Sequence, residues 1–317
     1  MSIYFIKKRG IILPASTFYF HTTDGHKIHT KKWIEGKSPK AIVQIAHGMA
    51  EHIERYNAFA NELLKHDIYV YGNDHRGHGQ TSGTPRYFSE ENGFEKVVND
   101  MYELTNLIRE EQGNVSIFLF GHSMGSFLAR RYIQLYGNEI RGVLLSGTGG
   151  NPGILGKIGR TIAKWECKRN GRTSPSPLLD KLTFGNFNKQ FQPARTQFEW
   201  LTRNDAEVDK YIEDSLCGGI FTAGFFHDLL TGLKIINKKK NIQLVPSALP
   251  IYIFSGSQDP VGNNTKGVQQ VCNTFQRAGV TNITFKLYEG GRHEMLNEIN
   301  QEEVYTDIIN WIKAQLR

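Results

Sequence analysis

Six short apolar runs recur along the chain, most of them ending in glycine or polar residues: "AIVQIAHG", "IYVYGNDHRGHG", "VSIFLFGHS", "IRGVLLSG", "LPIYIFSGSQDP" and "ITFKLYEGGRH". Between them lie stretches such as "ERYNAFANELLKH", "GFEKVVNDMYELTNLIREE" and "SFLARRYIQLYG", whose apolar residues return every three or four positions. That spacing gathers apolar side chains on one face of a helix, whereas unbroken apolar runs suit strands covered on both faces. Strands alternating with helices predict a mostly parallel central sheet flanked by helices, an α/β fold. Ahead of them, "STFYFHTTDGHKIHTKKWI" places two β-rich runs around Asp24-Gly25 and predicts an antiparallel hairpin over residues 16–34.

The alternation breaks once. Roughly a hundred residues separate "LLSGTGG" from "LPIYIFSG", too many for an ordinary connection, and they are rich in aromatics, as in "FGNFNKQF" and "GIFTAGFFHDLL". The expected organisation is a core made of residues 1–150 and 248–317, interrupted by a mainly helical cap over 151–247.

Charge sharpens the picture of that cap. The chain of 317 residues carries a net +7, and residues 151–245 hold 15 Lys or Arg against 9 Asp or Glu, a balance of +6. The first cap segment, "ILGKIGRTIAKWECKR", sets Ile154, Ile158, Ile162 and Trp165 along one helical face and Lys157, Arg160, Lys164 and Lys168 largely away from it. Two readings stand: a helix that lies on an anionic lipid interface, or one that packs its apolar stripe over the site with its lysines in water. The basic residues are dispersed and no recognition motif accompanies them, so nucleic acid is not an expected partner.

Other features exclude more than they assign. No apolar run approaches the roughly 18–20 residues that span a bilayer. The opening "MSIYFIKKRGIILP" has its apolar residues before its basic ones, the wrong order for a secretory signal, so a cytoplasmic location is expected. Cys167, Cys217 and Cys272 lie about fifty residues apart with no close pair, which suggests neither a disulfide framework nor a zinc motif. His47, His52, His75, His78 and His122 fall in strand-end loops without ligand spacing on a helix, so no metal or cofactor is expected.

The chemistry gathers where apolar runs stop, as it does at the carboxyl ends of a parallel sheet. Ser123 sits in Gly-His-Ser-Met-Gly between an apolar run and a helical pattern, where Gly121 and Gly125 would allow a sharp strand-turn-helix. A serine hydroxyl needs a neighbouring base to become a good nucleophile. His293 follows the last apolar run and Asp259 the one before it, giving the order Ser, Asp, His expected on this architecture. The amides of Met124 and of Met49, after "IAHG", are the expected donors to an oxyanion.

These residues resemble a known family. "AHGMAEHIERY", "GNDHRGHGQTSG", "GHSMGS", "SGSQDP" and "GGRHEMLNE" together are similar to the monoacylglycerol lipase and lysophospholipase branch of the α/β-hydrolase superfamily, a serine aminopeptidase-like group, over roughly residues 16–316. The resemblance implies an α/β-hydrolase fold with an inserted lid, ester cleavage through an acyl-enzyme, and the same roles for Ser123, Asp259, His293 and the Met49 and Met124 amides. It assigns Asp74, in the "DHRGHGQTSG" loop, to architecture. One departure stands out: mammalian monoacylglycerol lipases usually read His-Gly-Ala-Gly-Glu-His where this chain reads His-Gly-Met-Ala-Glu-His, and the larger Met49 side chain would narrow an acyl pocket.

The expected substrate is a small lipid or other ester. A peptidase or amidase remains an alternative, since Glu199, Asp205, Glu207, Asp214 or Asp228 could hold a free amino terminus, and so does a non-catalytic ligand-binding protein on the same scaffold. The oligomeric state is not legible in the sequence.

Overall fold

The computed structural model describes residues 3–8, 11–36 and 38–317, with side chains from residue 15 onward. Among the described residues nine strands form one sheet: β1 (Ile3–Lys8), β2 (Ile11–His21), β3 (Lys27–Trp33), β4 (Ala41–Ala46), β5 (Ile68–Asn73), β6 (Ile117–His122), β7 (Gly142–Ser146), β8 (Ile251–Gly256) and β9 (Ile283–Tyr288). Their spatial order is β1-β2-β3-β5-β4-β6-β7-β8-β9. From β5 across to β9 every pairing is parallel, and β1, β2 and β3 extend the sheet antiparallel. All six apolar runs are strands, and β4 through β8 are buried along their whole length. The expected hairpin is β2 and β3, turning at Gly25 with φ 78°. The β1 pairing, which lengthens it by a further strand, had no counterpart in the sequence reading.

Three helices follow the periodic stretches, α1 (Asn57–Leu64), α2 (Gly93–Gln112) and α3 (Met124–Tyr136). Phe94, Val97, Val98, Met101, Leu104 and Ile108 of α2 are all buried, the three-to-four spacing of a helix with one apolar face. Beyond them come α4 (Gly153–Asn170), α5 (Pro177–Phe184), α6 (Asp205–Glu213), α7 (Ala223–Ile236), the short α8 (Lys239–Ile242), α9 (Lys266–Arg277) and α10 (Gln301–Gln315). Phe118 and Phe120 of β6 meet Trp311 of α10 and Phe59 of α1 on one face of the sheet. On the other, Gln44 of β4 donates to the Met101 carbonyl and accepts from Thr105, which ties the strand to α2 and satisfies a buried amide.

The long connection between β7 and β8 contains α4 to α8. Its foot is α7, capped by Thr222 and buried through Phe225, Phe226, Leu229, Leu233 and Ile236. Gly232 lets α7 close on Phe94 of α2, since a Cβ there would lie 2.3 Å from the ring. Arg130 of α3 reaches both ends of the connection, donating to the Gly149 carbonyl and to Asn237 Oδ1. The first segment departs from one expectation. Ile162 and Ala163 turn inward, but Ile154, Leu155, Ile158 and Trp165 remain exposed, so α4 does not pack that stripe onto the protein.

Candidate active site

Strand order reverses at β4, whose neighbours β5 and β6 leave in opposite directions, and the loops that follow β4, β6, β8 and β9 converge there. Ser123 is the turn residue between β6 and α3. Its backbone is held at φ 51° and ψ −118°, a conformation that costs a non-glycine residue about 1–3 kcal/mol and persists only under constraint. The constraint is visible. A Cβ on Gly125 would lie 2.0 Å from the Ala46 carbonyl, and one on Gly121 would lie 2.5 Å from the Gly125 carbonyl. The two glycines therefore serve close packing, whereas the left-handed φ falls on the serine itself. The Ser123 amide donates to the Ser146 carbonyl at 2.9 Å, anchoring the turn to β7.

His293 and Asp259 come together as the sequence order suggested. His293 Nδ1 lies 2.9 Å from Asp259 Oδ1, and both residues are buried. The carboxylate accepts two further bonds, from Ser255 Oγ and from the Val261 amide. Burial pushes Asp259 up, but His293 and these donors outweigh it and hold the carboxyl below its ordinary value. Burial pulls His293 down, yet Asp259, with Glu294 and Glu51 adding to it, raises the imidazole above its ordinary value. The ring is fixed between Trp200 and His122, at centroid distances of 5.1 and 4.7 Å. Gly147 makes room for it, because a Cβ there would stand 3.0 Å from the imidazole. His122 is pushed down to about 4 by burial and by His293, so it stays neutral beside His293.

Ser123 and His293 line one cavity of about 520 Å³. Ser123 Oγ has no hydrogen-bond partner among the described residues; in the expected roles, its contact with His293 closes when substrate is bound. Met124 is the first residue of α3, where a helix leaves its amides free, and the Met49 amide has no acceptor among the described residues. Met49 itself lines the cavity. Phe184, Phe198, Trp200, Leu201 and Ile220 supply an apolar wall, and Asp180, Lys181, Asn188 and Gln197 add polar groups.

A buried ionic cluster went unnoticed in the sequence. Glu51 Oε1 accepts from the Gly48 amide and from Tyr56 Oη, and its Oε2 pairs with Arg55 at 2.8 Å. Arg55 in turn makes a bidentate pair with Glu294, both contacts at 2.7 Å. One guanidinium thus links the loop bearing Met49 to the residue after His293. Burial pushes both carboxyls up, but Arg55 holds them below the ordinary range. The i,i+4 spacing of Glu51 and Arg55 was the available signal; the partner 239 positions away from Arg55 was not.

Asp74 is architectural in its contacts. Its carboxylate accepts from His29 Nδ1 and from the amides of Ile53 and Gln80. Of the five acids between β7 and β8 that could hold an amino terminus, Glu199 faces Arg292, Asp228 Arg172, Asp214 His52 and Glu207 Lys210, while Asp205 is exposed; none lines the cavity.

Residues 37–300 match the family model described as serine aminopeptidase, S33. The chain belongs to this family. It has the α/β-hydrolase fold, and it is similar over nearly its whole length to proteins of that superfamily. It is 26% identical to the monoglyceride lipase of Rattus norvegicus over 297 residues, 92% of this chain and 89% of that one. It is 27% identical over 301 residues to the monoglyceride lipase homolog of Monkeypox virus, covering 94% and 98% of the two chains. The crystal structure of a thermostable carboxyl esterase from Bacillus coagulans, in complex with glycerol, superposes with a TM-score of 0.89 at 25% identity, covering 96% of this chain and 99% of that one.

The direction of the His293 shift sets a pH dependence. With His293 as the expected base, stabilisation of its conjugate acid leaves it neutral only at higher pH, so ester hydrolysis should rise along a limb whose midpoint lies above the ordinary histidine value of about 6.5. Asp259→Asn should lower kcat by roughly three to four orders of magnitude, because the ring loses the partner that fixes its tautomer. pH profiles of kcat and kcat/KM with a soluble ester, measured for wild type and Asp259→Asn, check both.

Proposed function

We infer that the chain is a carboxylic ester hydrolase that works through an acyl-enzyme and acts on monoacylglycerols or lysophospholipids. The observation that carries this reading is the convergence of a strained Ser123, a buried His293–Asp259 pair and two free amides on one largely apolar cavity. Ser123 Oγ attacks the ester carbonyl while His293 takes its proton; Asp259 stabilises the imidazolium. The amides of Met49 and Met124 receive the oxyanion, which in such sites is worth about 3–4 kcal/mol for a single donor. His293 then returns the proton to the leaving alkoxide, and water repeats the sequence on the acyl-enzyme. The likeness to lipases and esterases supports the same class of substrate.

In this reading residues 151–247 are a lid over the cavity. Their outer surface supports contact with anionic lipid: Ile154 and Leu155 are 73% and 79% exposed, Leu178 and Leu182 of α5 are exposed as well, and Lys157, Lys164 and Lys168 share the exposed surface of α4. No described helix is long and apolar enough to cross a membrane, so the proposed contact is peripheral.

A substrate series separates ester from amide hydrolysis. Monoacylglycerol and lysophospholipid should be turned over and aminoacyl amides should not, with activity declining for the longest acyl chains if Met49 narrows the pocket. Amide turnover at a comparable kcat/KM would contradict the reading. A second series tests the surface: activity on vesicle-borne substrate should rise with anionic lipid and fall with salt, since each basic residue near such a surface contributes about 1 kcal/mol. Reversing the charges of Lys157, Lys164 and Lys168 should weaken that turnover while sparing a soluble ester.

A further inference from the structure

A second cluster of reactive side chains lies beside the cavity and takes no part in the mechanism above. A ring nitrogen of His52, a carboxylate oxygen of Asp214 and Sγ of Cys217 lie within 4.8 Å of one another. His52 stands in the loop after β4, two residues past Ala50. Asp214 and Cys217 face it from the turn after α6, in an Asp-x-x-Cys stretch closed by the Cys217 amide donating to the Asp214 carbonyl. The spacing rules that excluded zinc from the sequence could not register this group, because 162 residues separate His52 from Asp214.

Five features suit the cluster to a metal. The donors are one imidazole, one thiol and one carboxylate, a set that zinc accepts with a fourth position left for water. His52 Nε2 already meets Asp214 Oδ2 at 2.8 Å, and a tetrahedral zinc holds its donors about 3.3–3.8 Å apart, so small side-chain rotations suffice. Cys217 Sγ has no hydrogen-bond partner among the described residues and nothing else to satisfy. Burial, above all, pushes the Cys217 thiol up; Arg55 opposes it while Asp214, Glu51 and Glu294 add to it, and three carboxylates against one cation favour a divalent cation at the sulfur. Asp214, about one-third exposed, gives a path from solvent.

We propose that His52, Asp214 and Cys217 form a site for a single zinc ion that joins the inserted segment to the loop bearing Met49. On binding, the Cys217 thiol releases its proton to water, and His52 ligates as the neutral ring with its proton on the other nitrogen. Affinity therefore rises with pH. The joint already exists in weaker form, as the Gly218 amide donates to the Ala50 carbonyl at 2.9 Å. A metal across it restrains residues 214–220, of which Gly218, Gly219 and Ile220 line the cavity.

The test uses the intact chain in phosphine reductant and titrates Co2+ as a spectroscopic stand-in, followed by Zn2+. One equivalent should bind with a thiolate-to-cobalt absorption that Zn2+ abolishes by displacement. The band should be absent in Cys217→Ser, retained in Cys167→Ser and Cys272→Ser, and shifted to at least tenfold higher metal concentration in Asp214→Asn. Zn2+ should raise the melting temperature of the wild type and not of Cys217→Ser. A titration without the sulfur band, or a band unchanged in Cys217→Ser, overturns the proposal. Neither readout depends on esterase activity, so failure here leaves the functional reading intact, and loss of that reading leaves this test informative.

Discussion

The backbone of Gly125 rests on the Ala46 carbonyl so closely that no side chain fits between them. This contact lets α3 begin directly against the end of β4. The chain leaving β6 must then reverse within one residue, and the left-handed strain falls on Ser123. The same approach brings the first amide of α3 next to the loop after β4, so the proposed nucleophile and both proposed oxyanion donors are placed by one backbone contact. Substrate binding has little left to rearrange there, and this preorganisation is the main source of electrostatic catalysis in such sites.

The second requirement is that four loops keep their relative positions. Arg55 meets it between the loops after β4 and β9, with Glu51 holding the Gly48 amide and Glu294 following His293. A buried pair of this kind contributes little net stability, but removing one partner strands a charge and typically costs about 3–5 kcal/mol. Its value is geometric. Gly256 completes the arrangement on the other side, since a Cβ there would stand 2.0 Å from the Gly291 carbonyl; β8, which delivers Asp259, thus packs against the loop that delivers His293.

Much of this was legible in the chain. Five of the six parallel strands, β4 to β8, were legible as unbroken apolar runs because they are covered on both faces, the edge strand β9 was legible although only partly covered, and Ser123, Asp259 and His293 stood out as polar residues at strand ends. The reason for the glycines was not legible, because both need space and not a special φ: Gly121 is crowded by Gly125 and Ala129 at the start of α3, and Gly125 by the end of β4, some 80 positions upstream. Nor was the role of Arg55, whose decisive partner Glu294 is remote. The α4 stripe shows a different limit. Helical periodicity puts Ile154, Ile158, Ile162 and Trp165 on one face but cannot say what covers it; only Ile162 turns toward the protein.

The account rests on Ser123 being the nucleophile that His293 activates. Its most direct test is the reaction of the intact chain with a fluorophosphonate, followed across pH by intact and peptide mass. One adduct per chain on Ser123, formed faster as pH rises through the His293 limb and lost in Ser123→Ala and in His293→Gln, is the predicted result. An adduct on another residue, or Ser123 labelling at an unchanged rate in His293→Gln, would contradict it.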